Sequence, residues 1–189
     1  MKLSFIEDTP FAIKFKIEGI DYNVANAIRR VAIDSVKTFA IDRVTFYENT
    51  SAMFDEYIAH RIGLVPLATP LKGYDEKDEI LFKLEEEGPK TVYSKSLEST
   101  DKSVKVANEN IPIIKLGEGQ RLRIEGKAVM GDARKSAKFQ PGLVTYKPVE
   151  GGFEFYIETF GQMTAKDILD KALQLMDDEL KEIAKSVKK

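Results

Sequence analysis

Apolar and polar residues alternate along residues 11–18, with Phe11, Ile13, Phe15 and Ile17 on one side and Lys14, Lys16 and Glu18 on the other. A period of two is that of a strand with one face buried. Residues 3–6 predict a shorter strand, and Pro10 suits the turn between the two. After Gly19 the period lengthens. Val24, Ile28, Val31 and Ser35 fall at helical spacing, with Ala27 and Ala32 beside that stripe. Asp21 or Asn23 is placed to cap the first turn, and the helix is expected to stop near residues 37–39. A strand rich in β-branched and aromatic residues follows over residues 41–48.

The middle of the chain is more broken. Asn49, Thr50 and Ser51 form a turn or cap cluster, and residues 54–62 predict a short helix that Gly63 stops and Pro66 cannot extend. From Leu67 to Pro112 the sequence is interrupted by Pro70, Gly73, Gly88 and Pro89, so short strands are expected there, at residues 80–84 and 91–93. Residues 121–130 alternate clearly, with Leu122, Ile124, Ala128 and Met130 on one side. Pro141 and Gly142 predict a turn, residues 143–146 a strand, and Gly151-Gly152 the end of this region. Phe153, Phe155 and Ile157 then mark another strand.

The last segment has the clearest pattern. Thr164 and Asp167 have the spacing of a capping box, with Asp in place of the usual Glu. Leu169, Leu173, Met176, Leu180, Ile183 and Val187 recur at steps of four and three, the seam that one helix offers another, and Ile168, Ala172 and Ala184 widen it. A helix of about 25 residues is about 37 Å long, against a radius of gyration of about 16 Å for a globule of this size. The seam is wider than the chain's own sheet requires, so a second chain is expected to cover the remainder. With strand–helix patterns strongest at the two ends, the expected fold is α+β: a discontinuous sheet-and-helix domain of residues 1–48 plus 151–189, into which a mostly β domain of residues 49–150 is inserted.

Composition narrows the chemistry. Of 189 residues, 43% are hydrophobic and 32% charged, a globular balance. No apolar run reaches the roughly 18 residues of a membrane helix and no signal peptide opens the chain, so a cytoplasmic location is expected. The absence of cysteine excludes disulfides, thiolate-held iron–sulfur clusters and Cys-based zinc sites, and the single histidine, His60, leaves little for a metal site or a triad. No cofactor is expected. A net charge of −2 argues against a dedicated nucleic-acid binder. A local patch of Arg134, Lys135 and Lys138 keeps a nucleic-acid-binding module as the alternative function, and Lys188-Lys189 adds positive charge at the end.

Catalytic motifs are sparse. Gly117-Glu118-Gly119 lacks a third glycine and precedes a strand, which reads as a hairpin turn rather than a phosphate cradle. Asp177-Asp178-Glu179 reads as a solvated helix face. Glu56 and His60 share a helix face at i,i+4 but make only part of an acid–base or metal site. What composition leaves unexplained is the pair Arg29-Arg30, since two adjacent arginines cannot both lie on the apolar side of a helix.

Residues 21–31 (DYNVANAIRRV) resemble the first-helix motif of the α-like subunits of cellular RNA polymerases. The resemblance continues through TFAID at 38–42, ENTS at 48–51, GPKTVYS at 88–94, IIKL at 113–116 with Gly119-Gln120, and the long closing helix. Residues 55–67 (DEYIAHRIGLVPL) are similar to the archaeal and eukaryotic version rather than the bacterial one. The resemblance implies a fold like the N-terminal part of the RNA polymerase α subunit, with a dimerisation domain that pairs with a smaller α-like partner, subunit L in archaea. It implies an assembly role in transcription: small subunits N and P join the pair and two large catalytic subunits dock on it, with no catalysis, sequence-specific DNA contact or membrane contact by the chain itself. It places Val24, Ile28, Val31, Leu169, Leu173, Met176, Leu180, Ile183 and Val187 at the subunit L interface, and Arg29, Arg30, His60 and Arg61 where the large subunits dock. Two features depart from the family. The cysteine-rich iron–sulfur segment of some relatives is absent, and Ser136-Ala137-Lys138-Phe139 stands where a His-Ala-Lys-Trp run is common, so no role of that histidine carries over.

Overall fold

The computed structural model describes residues 1–187. In chain order they form β1 (Lys2–Asp8), β2 (Ala12–Glu18), α1 (Tyr22–Asp34), β3 (Thr38–Asn49), α2 (Asp55–Gly63), β4 (Glu79–Glu87), β5 (Lys90–Tyr93), β6 (Glu98–Ser99), β7 (Pro112–Leu116), β8 (Arg121–Gly131), β9 (Gly142–Val149), β10 (Gly152–Thr159) and α3 (Ala165–Val187). The fold is mixed α+β, and every strand pairing is antiparallel. Two compact units result: Met1–Lys37 with Asp132–Lys189, and Thr38–Gly131.

The first unit is a four-stranded sheet in the order β1-β2-β10-β9 with α1 and α3 packed on one face. Alternation decides that face. Ile13, Phe15 and Ile17 of β2 and Phe155 and Ile157 of β10 point into it, and the rings of Phe15 and Phe155 stack 5.2 Å apart. The helices meet the sheet and each other through small residues: Ala25 and Ala32 of α1, Ala165 and Ala172 of α3, with Ile28, Ile168 and Leu169 filling the gaps. Such residues let helix backbones approach closely, and removing any large neighbour leaves a cavity. Asp21 caps α1 through its carboxylate and the Val24 N–H at 2.9 Å. The capping box of α3 is reciprocal: the Asp167 N–H donates to Thr164 Oγ1 and the Thr164 N–H donates to Asp167 Oδ2, both at 3.2 Å. At the sheet edge, β9 accommodates Pro148, which has no N–H to give a ladder.

The second unit is a sheet in the order β3-β8-β4-β6 beside the two-stranded pair β5-β7, with α2 packed on β3 and β7. Its core joins Phe39 and Ile41 of β3, Phe82 and Leu84 of β4, Leu122 and Ile124 of β8 and Ile58 and Ile62 of α2. Asn49 organises the entry to α2, donating to the Met53 carbonyl at 2.9 Å and to Asp55 at 2.6 Å while accepting from the Ser51 hydroxyl. Gly88 sits where an added Cβ would lie 2.0 Å from the Gly117 carbonyl oxygen, so the β4–β5 turn can pass that close only without a side chain.

Several expectations shift. The unit boundaries fall at 37/38 and 131/132 rather than 48/49 and 150/151, because β3 is laddered to β8 from Thr38–Gly131 to Asn49–Leu122 and β9 to β10 from Gly142–Thr159 to Val149–Gly152. Gly151, at a φ of 78°, does not end the middle region but turns the β9–β10 hairpin. The buried stripe of α1 is Ala25, Ile28 and Ala32 rather than the one beginning at Val24. β1 forms with none of its residues buried, since it pairs with β2 at the sheet edge beyond the cover of the helices. Phe11 is 73% exposed and lies just before β2.

Urea unfolding measures these contributions. Thr164→Ala removes half of the reciprocal cap and is expected to lower stability by about 1 kcal/mol. Phe155→Ala opens a void in the first unit's core and is expected to cost about 3–5 kcal/mol. Equal midpoints for the two variants would show that the stacked aromatic pair does not anchor the sheet.

Candidate functional site

The two arginines of α1 have different surroundings. Arg29 is half-buried and folds back on its own helix, donating from Nε and Nη2 to Asn26 Oδ1 at 3.3 and 2.9 Å. Its charge reaches the Tyr146 phenol, whose pKa is raised above the ordinary value first by the Tyr22 hydroxyl, with Arg29 pulling the other way. Arg30 is exposed and makes no hydrogen bond or ion pair among the described residues.

The apolar seam of α3 divides along its length. Ala165, Ile168, Leu169 and Ala172 belong to the unit's own core, and Leu175 and Met176 lie at its margin. Beyond them Leu173 is 38%, Leu180 63%, Ile183 61% and Val187 82% exposed. From Asp177 onward every described residue of the helix is exposed, a length of about 16 Å. On α1, Val24 is exposed and Val31 half-buried. Two residues expected at a partner interface, Ile28 and Leu169, are instead buried to about 95% in the chain's own core, because they sit where α1 and α3 meet the sheet. The edge strand adds exposed Leu3, Phe5 and Ile6, which sequence alternation could not mark as uncovered. Lys166 ties this edge down, 2.5 Å from Asp8 and over the Phe5 ring at 4.9 Å.

In the second unit Arg61 clamps α2 to β7, donating from Nε to the Ile113 carbonyl at 2.8 Å and from Nη2 to the Pro112 carbonyl at 2.6 Å. His60 beside it is exposed. Phe54 and Tyr57 are also exposed, their rings 6.2 Å apart, at the mouth of a groove of about 620 Å³. The sequence pattern marks both only as helix residues, and their spacing from His60 and Arg61, on one side of the helix, is the signal it offers.

The other candidates are more ordinary. Among the described residues no group of three or more His, Asp or Glu side chains could hold a metal, and Glu56 and His60 share no hydrogen bond. Arg134 is paired with Asp132 at 3.0 Å, its backbone N–H bonds the Asp34 carbonyl at 3.3 Å, and Lys138 lies over the Phe139 ring, so two of the three basic residues in that patch have partners within the unit. Asp177 pairs with Lys181 on the same helix. Lys188 and Lys189 lie outside the described residues. Among the described residues no helix is long and apolar enough to cross a membrane.

Comparison with known proteins gives a consistent result. The family described as the RNA polymerase Rpb3/RpoA insert domain matches residues 31–144, which include the whole second unit. The DNA-directed RNA polymerase subunit Rpo3 of Methanocaldococcus jannaschii is 45% identical over 175 residues, 92% of this chain and 86% of the relative. The Rpo3 subunits of Thermococcus kodakarensis and Pyrococcus furiosus are 47% and 46% identical over 153 residues, 78% of this chain but only 59% of theirs.

The Asp132–Arg134 pair makes a pH-dependent prediction. The Arg134 guanidinium, hydrogen-bonded to Asp132, holds that carboxyl below its ordinary range. A depressed folded pKa contributes stability above the unfolded value of about 3.9, lost as pH falls through the folded one. Arg134→Ala is expected to move the Asp132 carboxyl titration, followed by carbon NMR, back up toward the ordinary value. An unchanged titration would show that the pair does not hold the loop.

Proposed function

The chain belongs to the family of archaeal α-like RNA polymerase subunits that carry the Rpb3/RpoA insert domain, and from that premise we propose that it serves as the D-type (Rpo3) component of a multi-subunit DNA-directed RNA polymerase. It is a non-catalytic assembly platform in the cytoplasm. It pairs with the smaller α-like subunit L, is joined by small subunits N and P, and presents the pair to the two large catalytic subunits.

The observation that carries this reading is the apolar line on the outer half of α3. Leu173, Leu180, Ile183 and Val187 follow a heptad-like spacing and are not used by the chain's own core. A contiguous apolar face of this kind marks a protein interface, and its spacing suits a helical partner. Val24, Val31 and Met176 extend the face, while Ile28 and Leu169 support it from the core side. An obligate interface of this type buries more than about 2,000 Å². Docking of a large subunit falls to Arg30, which is exposed and unpaired among the described residues, together with His60 and Arg61; Arg29, held by Asn26, orders the helix that presents its neighbour. A guanidinium without an internal partner suits a bidentate contact with a carboxylate or with backbone carbonyls of another chain.

Two measurements test the reading. Leu173→Glu or Leu180→Glu changes an exposed side chain and is expected to leave the chain folded while abolishing coelution with subunit L in size-exclusion chromatography of the co-expressed pair. A wild-type chain that stays monomeric beside its partner would refute the interface. Arg30→Ala is expected to keep the heterodimer intact and weaken large-subunit capture by about tenfold or more, the loss of a charge-assisted hydrogen bond. Loss of the heterodimer instead would place Arg30 within that pair.

A further inference from the structure

The groove of the second unit lies between the start of α2 and β7. Met53, Phe54, Tyr57 and Ile114 give it an apolar lining, and its basic residues are His60, Arg61 and Lys115. No carboxylate lines it, and none of the three basic side chains has a carboxylate partner among the described residues. Arg61 uses two donors on the Ile113 and Pro112 carbonyls, which are uncharged acceptors and leave its positive charge uncompensated. Of the acidic residues on the first turn of α2, Asp55 is engaged by Asn49 at 2.6 Å and Glu56 does not line the groove. The β5-β7 sheet has only two strands, so β7 carries β5 on one side and no strand on the other among the described residues.

These features define an occupant: an apolar cleft takes a side chain, and positive charge with no internal counterion takes flanking carboxylates. We propose that the groove receives an acidic segment of another polymerase subunit. One aromatic or aliphatic side chain seats against Phe54, Tyr57 and Ile114, and flanking carboxylates lie beside Lys115, His60 and Arg61. The inference rests on the assignment of His60 and Arg61 to docking made above and adds the chemistry of what docks. Rim charges of this kind set partner choice and salt dependence more than affinity, whereas the seated apolar side chain supplies the anchor.

The test uses the full chain, methyl-labelled at Met and Ile, with two capped tetrapeptides, Asp-Leu-Phe-Asp and Lys-Leu-Phe-Lys, and an oligothymidine as probes. The acidic peptide is expected to move the Met53 and Ile114 methyl signals saturably and to bind at least about fivefold more tightly than the basic one. It is expected to weaken as salt rises and to lose about tenfold in affinity in Lys115→Glu, an exposed position whose change leaves the fold intact. Equal binding of the two peptides, binding of neither, or stronger shifts from the oligothymidine would each overturn the proposal, the last by making the groove a nucleic-acid site. Large-subunit capture by Tyr57→Ala separates the two readings. Reduced capture together with failure of the acidic peptide keeps docking at this surface and refutes the acidic segment. Peptide binding with unchanged capture refutes the assignment of the groove to a polymerase subunit.

Discussion

The pairing of β2 with β10 is the constraint on which the first unit depends. It aligns Gly152 with Glu18 and Glu158 with Ala12, joining segments from opposite ends of the chain. The closure entropy of so long a loop is modest in its length dependence, about 0.6 kcal/mol for each doubling. The close pairing of Phe15 with Phe155 and of Ile13 with Ile157 sets buried side chains against it. Once that register is set, α1 and α3 are delivered to the same face of one sheet. Their alanines then fix how closely they pack, and the outer half of α3 is left without cover.

Charge follows a related division of labour. On the outward side of the second unit's main sheet, β8 and β4 face each other with opposite charges: Lys127 lies 2.8 Å from Glu79, Arg121 3.2 Å from Glu87 and Arg123 3.7 Å from Glu85. Each such exposed pair contributes about 1 kcal/mol or less. Their importance lies in neutralising a broad solvent face. Among the described residues Arg30, His60 and Lys115 have no such counterpart, and His60 and Lys115 stand in the lining of the groove.

Much of this was legible from residue spacing. The alternation of β2, β8 and β10, the Thr164–Asp167 cap and the helix that follows it are local patterns, and local patterns survive into the fold. What was not legible was allegiance. The apolar alternation of β3 and β9 says that each is a strand with a buried face, but not which sheet receives it, because that depends on partners distant in sequence. On α1 Ile28 is buried as its spacing predicts, but Ala25 and Ala32 are buried in place of Val24 and Val31, because these neighbours are all apolar and only packing against the sheet chooses between them. At the candidate site, the exposed line of Leu173, Leu180, Ile183 and Val187 was visible as excess hydrophobic width. The withdrawal of Ile28 and Leu169 into the core was not, since a heptad seam looks the same whichever surface covers it. The unequal roles of Arg29 and Arg30 depend on Asn26, three residues upstream, whose amide takes one guanidinium and leaves the other.

Thr38 and Gly131, the first and last residues of the second unit, are partners across the β3–β8 ladder. Their α-carbons therefore stand only about 5 Å apart. A module whose entrance and exit are neighbours presents the same short gap to the flanking chain whatever its internal length. Loops between β4 and β8 can lengthen, shorten or be rewritten without altering the span that residues 37 and 132 must bridge. The middle of this chain is thus organised as a cassette, free to diversify its outward surfaces while the sheet built from the chain's two ends keeps its register.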